Sequence, residues 1–115
     1  MVNYIPQRSD IVWLNFEPRT GNEITKTRPA LVISPRRYNE KTNLAVFIPI
    51  TSKVKNYPFE VAINSEEIKG VALCDQVRSL DWSKRQATKI TSINDETVRQ
   101  VLNKLYVLIG LEHAK

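Results

Sequence analysis

Leu44 to Ile50 reads LAVFIPI, a run with no charged residue and no position reserved for water. A strand with one solvated face alternates apolar and polar residues, so a continuous apolar run bounded by polar turns predicts a strand covered on both faces. Pro49 lacks a backbone donor and marks a bulge or an edge within it. Upstream, Arg28 to Ser34 (RPALVIS) predicts a second strand, with Pro29 near its start, where a missing donor is tolerated. Asp10 to Glu17 (DIVWLNFE) is a further strand of aromatic and β-branched composition ending at Pro18. Pro18 to Thr27, with Gly21 and Asn22, reads as a loop, and Pro35 to Asn43 as a polar turn. Downstream of the apolar run, Thr51 to Tyr57 (TSKVKNY) is a basic loop and Phe59 to Ile63 alternates as a strand does. Ser65 to Lys69 resembles a single helical turn, and Val71 to Leu80 reads as one long strand or two short ones. Five to seven strands result.

The period changes near the C-terminus. Val98, Val101, Leu102, Leu105, Leu108 and Ile109 fall on one face of a helix. Asn94 is a suitable N-cap, Asp95 and Glu96 sit at the positive end of the helix dipole, Ile93 can staple onto Val98, and Gly110 supplies a stop. Short strands followed by one helix able to cover the open end of a sheet predict a mainly β chain, a small curved SH3-like β-barrel with a C-terminal helix.

A length of 115 residues fits a single domain over 1–115. Seventeen Lys and Arg against 12 Asp and Glu leave a net charge of +5, which favours a polyanion or an acidic protein partner. Cys74 is the one cysteine, so no internal disulfide can form and a reducing compartment, the cytoplasm, is expected. Met1 to Asp10 lacks the features of a signal peptide, and no apolar run has the length of a membrane span, so no membrane role is expected. The one histidine, His113, lies near the C-terminal end, which argues against a histidine acid/base pair and against a metal site of His and Cys. No metal or other cofactor is expected.

Polar residues at strand ends are where a rigid scaffold presents reactive groups. Arg28 opens one strand, Thr51 and Ser52 close the next, and Asp75, Gln76 and Arg78 interrupt the apolar stretch VALCDQVRSL. Each taken singly also fits an ordinary exposed strand face with routine hydrogen bonds.

Together these segments resemble the MazF/PemK family of toxin endoribonucleases, from about Ser9 to Gly110. The shared landmarks are Ser9-Asp10-Ile11, Phe16-Glu17-Pro18, Gly21-Asn22-Glu23, Arg28-Pro29-Ala30, Ser34-Pro35, Pro49-Ile50-Thr51-Ser52 and Asp75-Gln76-Val77-Arg78-Ser79. One departure is Ser9, where the family often has glycine. The resemblance implies a PemK-type barrel, a homodimer, and sequence-specific, metal-independent cleavage of single-stranded RNA. The substrate 2′-OH attacks to leave a 2′,3′-cyclic phosphate and a 5′-OH, which would inhibit translation and growth. It also implies that Arg28 and Thr51 are the catalytic pair and that Glu23 lies near the cleaved phosphate. A guanidinium offers a planar fork of donors to a phosphate gaining charge, and a hydroxyl adds another. Because arginine is a poor proton acceptor at neutral pH, Arg28 reads as charge stabiliser and proton donor. The base is then Glu23 or an oxygen of the substrate or of water.

Base reading requires edge contacts and stacking planes. Asp75, Gln76 and Arg78 supply donors and acceptors, Ser52 adjoins Thr51, and Lys53 and Lys55 can hold phosphates. Phe16 is a stacking surface or a core residue; Tyr57 is a stacking surface or a support for the turn before Pro58. Tyr38 and Asn39 reach the groove or shape their turn, Trp13 is core or dimer contact, Trp82 faces a partner or packs beneath the helix, and Cys74 is a small buried residue. The resemblance further implies an acidic, partly disordered antitoxin of the MazE kind that fills the RNA groove. Two other functions remain: a noncatalytic gyrase-poisoning toxin of the CcdB type, and a plain nucleic-acid-binding barrel.

Overall fold

The structure is a computed structural model that describes residues 4–16 and 27–110. Its elements in chain order are β1 (Asp10–Asn15), β2 (Thr27–Val32), α1 (Arg36–Thr42), β3 (Leu44–Thr51), β4 (Glu60–Asn64), β5 (Lys69–Leu73), a 3-10 turn (Cys74–Gln76), β6 (Arg78–Asp81), β7 (Thr88–Ser92) and α2 (Asp95–Ile109). Among the described residues the strands form one curled, seven-stranded antiparallel sheet in the order β4-β5-β3-β2-β1-β7, with β6 beside β3. The mainly β fold with a C-terminal helix is therefore as the pattern predicts, with the sheet curled into a half-barrel.

β3 is the spine. Phe47, Ile48, Pro49 and Ile50 are all buried, Phe47 toward one apolar cluster and Ile48 and Ile50 toward the other. The first cluster packs Val12, Leu14 and Phe16 with Ala30, Val32, Ala45, Phe47 and Leu80. The second joins Ile11, Leu31, Ile48 and Ile50 to Val61, Ile63, Ala72, Cys74 and Val101, so α2 closes that side against β4. Each fully buried Leu, Ile or Phe contributes about 1.5–3 kcal/mol relative to exposure, and two such layers on one curled sheet hold the strand ends in place.

β3 changes partner along one edge. Leu44 to Phe47 pair with β6, and Ile50 and Thr51 with β5. Val46 uses its backbone N–H and C=O on the β2 side, toward the Ser34 hydroxyl and the Ile33 amide. Since these groups alternate sides along a strand, Pro49 faces the opposite edge, in the gap between the β6 and β5 pairings. The proline thus stands where no donor is wanted.

Two sequence expectations need correction, and two further elements differ in detail. Pro35 to Asn43 is not a turn but encloses α1, which follows Pro35 and ends on Asn43 at φ 61. Its polar sequence has no apolar period, and tertiary anchoring through Asn39 supplies what periodicity does not. Ser65 to Lys69 is no helical turn: Ser65 and Ile68 hydrogen-bond across a tight loop joining β4 to β5. β7 is an additional strand whose TKITS sequence has no apolar run. Gly110 ends α2 in an extended conformation, without the left-handed turn that makes glycine special. The N-cap is as expected: the Asn94 side chain accepts from Thr97 N–H at 2.9 Å. Val71 to Leu80 resolves into two short strands, broken by the 3-10 turn.

Ser9, at the family's glycine position, has φ 89, which explains the preference for glycine there. Its N–H and C=O both pair, with Val32 and Ile93, and hold the serine in that conformation. Among the described residues no helix is long and apolar enough to cross a membrane.

Candidate functional site

The β2–β3 ladder pairs Val32 with Phe47, Leu31 with Ile48 and Ala30 with Pro49. Continuing that register to the strand ends sets Arg28 opposite Thr51. Arg28 is also opposite Leu14 on β1, and Thr51 opposite Val71 on β5. Cross-strand partners project from the same face, so Leu14, Arg28 and Thr51 form one row, apolar at β1 and polar at β2 and β3. Arg28 is exposed and Thr51 half-buried. Extended in this way, the register would put Arg28 and Thr51 on the same face of the sheet.

Beside Thr51 lies a cleft of about 440 Å³, lined by Lys53, Lys55 and Tyr57 from the β3–β4 loop, Glu60 from β4, Leu73 from β5, and Asp75 and Gln76 from the 3-10 turn. The Tyr57 hydroxyl donates to Asp75 Oδ2 at 2.7 Å, tying the loop to the turn. That hydrogen bond to Asp75, reinforced by the carboxylate charge, pushes the tyrosine pKa above its ordinary value. Tyr57 therefore stays a donor throughout the physiological range. Its ring tilts against Phe59 with centroids 6.1 Å apart. Thr51 Oγ1 accepts from Lys53 N–H at 3.2 Å and so starts the basic loop.

The other candidates stand elsewhere. Phe16 is buried in the first cluster, and the Arg78 guanidinium lies 5.4 Å above its ring. One face of that ring is therefore occupied. Arg78 is opposite Phe47, four residues along β3 from Thr51, a distance of roughly 13 Å. Ser52 is exposed next to Thr51, and Arg28 and Ser52 are not among the residues lining the cleft. Glu23 lies outside the described residues, as do Glu17, Gly21, Asn22 and His113.

A family model described as a PemK-like, MazF-like toxin of type II toxin-antitoxin systems matches residues 7–109. The chain belongs to this family. It is 43% identical over 107 residues to the endoribonuclease toxin MazF of Escherichia coli strain K12, covering 93% of this chain and 96% of that one. A crystal structure of MazF from Deinococcus radiodurans superposes with a TM-score of 0.85 at 42% identity, covering 95% of this chain and 100% of that one. A crystal structure of a MazE-MazF complex from the same organism matches at 0.84 and 39%, over 95% and 99% of the two chains.

Within this PemK/MazF chain, three residues that matter to the geometry carry no sequence motif. Gly70 on β5 passes directly beneath the end of β3: a Cβ there would sit 2.3 Å from the Thr51 carbonyl oxygen and 2.9 Å from its carbon. Only glycine lets Thr51 sit where it does. Glu60 accepts backbone N–H groups from the basic loop. Arg85 donates from Nη1 to the carbonyls of Phe16, 2.8 Å, and Asn15, 3.2 Å, and pins the end of β1.

Of the residues with two readings, Asn39 is wholly buried and structural. Tyr38 is exposed beside it. Trp13 is 43% exposed, so it is not core. Trp82 packs on the first cluster and donates from Nε1 to Asn39 O, so it lies against α1 and not under the C-terminal helix. Cys74 is fully buried, and burial pushes its thiol up to about 11, which keeps it unreactive at neutral pH.

Proposed function

We propose that this chain is a cytoplasmic endoribonuclease toxin that cleaves single-stranded RNA without a metal. The observation that supports the reading is the register of β2 on β3, which, carried on past Ala30 and Pro49, would set Arg28 across from Thr51, a residue lining a lysine-bearing cleft. Its relatives, named MazF and PemK, are endoribonucleases, which favours RNA cleavage over the gyrase-poisoning and purely binding alternatives.

In the proposed reaction, the 2′ oxygen forms a bond to the adjacent phosphorus and the bond to the 5′ oxygen breaks. The 2′ proton passes to Glu23 or to an oxygen of the substrate or of water. The departing 5′ oxygen takes a proton from the Arg28 side, which is replenished through solvent. Arg28 and Thr51 donate to the non-bridging oxygens as their charge grows, where preorganised donors contribute most. Lys53 and Lys55 hold flanking phosphates, and Asp75 and Gln76 read base edges in the cleft. Arg78, over Phe16, binds the strand further along β3. A homodimer and an acidic antitoxin of the MazE kind complete the reading; relatives solved as MazE-MazF complexes support the partner.

The test is incubation of the purified protein with single-stranded RNA in EDTA. Discrete fragments with 5′-OH ends are expected, and Arg28→Ala should slow their appearance by about a hundredfold or more. Intact RNA, or a variant within a few-fold of the parent, refutes the mechanism.

A further inference from the structure

A carboxylate is an unexpected lining for a cleft meant to take a polyanion. Glu60 stands at the start of β4, half-buried, in the same cleft wall as Lys53 and Lys55. On charge alone it opposes phosphate binding. Its lone pairs, however, are turned into the backbone of the basic loop. Oε2 accepts from Lys55 N–H at 3.1 Å, and Oε1 accepts from Tyr57 N–H at 3.4 Å. The Glu60 amide in turn donates to Tyr57 C=O at 3.0 Å, so one residue closes the loop from both its main chain and its side chain. Asn56, between the two donors, has φ 57, a left-handed turn that lets neighbouring N–H groups converge on one anion.

The loop has little else to hold it. Ser52 to Pro58 are all exposed and form no regular structure. Besides Glu60, the side-chain ties among the described residues are the Thr51 hydroxyl at one end and the Tyr57–Asp75 hydrogen bond at the other. An untethered segment with two flexible lysines would lose much of its phosphate affinity to ordering entropy.

We propose that Glu60 is a positioning residue for substrate binding: its carboxylate organises the loop that carries Lys53, Lys55 and Tyr57, and this outweighs its own repulsion of RNA. The inference rests on the RNA-cleaving reading of the cleft, and it has a consequence opposite in sign to simple electrostatics. Removing this negative charge should weaken RNA binding.

The experiment compares Glu60→Gln and Glu60→Ala with the parent, using a fluorescent single-stranded RNA that the parent cleaves. Affinity is measured in an Arg28→Ala background so that the RNA survives. Glu60→Ala should weaken binding about tenfold, with the salt dependence of log Kd shallower by about 0.7 for each phosphate that a lysine no longer neutralises. KM should rise while kcat stays within a few-fold, and Glu60→Gln, which keeps one acceptor oxygen, should fall between. Amide exchange at Lys55 and Tyr57 should quicken in both variants, a readout independent of activity. If Glu60→Ala fails to fold, Glu60→Gln carries the same comparison. Unchanged or tighter binding with a steeper salt slope overturns the proposal, as does a hundredfold fall in kcat with affinity intact. A parent protein that leaves RNA uncut refutes the functional reading instead, and the amide exchange then still tests the loop's tether.

Discussion

Asn39 bonds in several directions without touching solvent. Its Nδ2 donates to Pro6 C=O at 2.8 Å and Ser34 C=O at 3.1 Å, its Oδ1 accepts from the Ser34 hydroxyl at 2.6 Å, and its backbone oxygen accepts from the Trp82 indole at 3.0 Å. The side chain thus joins the N-terminal segment and the exit of β2, while the main chain fastens the β6–β7 connection. Buried polar groups stripped of partners incur their full desolvation cost. Asn39→Ala should therefore lower stability by about 2–4 kcal/mol, read as a reduced urea midpoint at unchanged m-value, since at least two carbonyl or hydroxyl partners are orphaned. The burial of Asp10 follows the same logic. That carboxylate accepts from the Tyr4 hydroxyl, the Gln7 amide and Ser92, with Lys89 Nζ 3.5 Å away, and so fastens the residues before β1 to β7.

On the proposed reading, strand ends and not strand middles position the chemistry, and one crossing controls them. Because β5 passes under Thr51 at Gly70, Gly70→Ala should push the Thr51 carbonyl aside, at a cost of about 1–3 kcal/mol in stability. Misplacing a donor by about 1 Å can cost a hundredfold in rate, so initial cleavage rates at a temperature where the variant remains folded should fall more than tenfold. Melting curves beside those rates separate the two effects. What could be read from sequence divides along similar lines. α2 was legible because six apolar residues keep the helical period and Asn94 caps it. The core strands were legible because LAVFIPI, and PALVI within RPALVIS, are apolar without a break. α1 and β7 were not, since RRYNEKT and TKITS carry no periodic apolar face and are stabilised by neighbours that only the fold supplies. Arg28 and Thr51 emerged from the family resemblance, and the register of β2 on β3, carried on past Ala30 and Pro49, would set them opposite. Glu60 and Gly70 escaped notice because a loop tether and a backbone crossing depend on which segments meet in space. No local pattern encodes that meeting.

For the whole molecule, charge determines how partners approach. The net charge of +5 predicted attraction to a polyanion but not its place, which the lysines of the β3–β4 loop now suggest. An acidic antitoxin should be steered by the same field. Its association rate should fall by about tenfold or more between about 0.05 and 0.5 M salt, with dissociation little changed, in stopped-flow mixing. A rate indifferent to salt would mean that the cleft is not where the antitoxin first lands. The change of partner at Pro49 bears on how such a toxin diversifies. Among the described residues, the hairpin that frames the cleft pairs with the spine at Ile50 and Thr51, crosses it closely at Gly70, and packs on it through Val61, Ile63 and Ala72. On the proposed reading, substitutions in that hairpin away from Gly70 would alter which transcripts are accepted while β2 and β3 keep their form, so target choice could drift in lineages that retain the same blade.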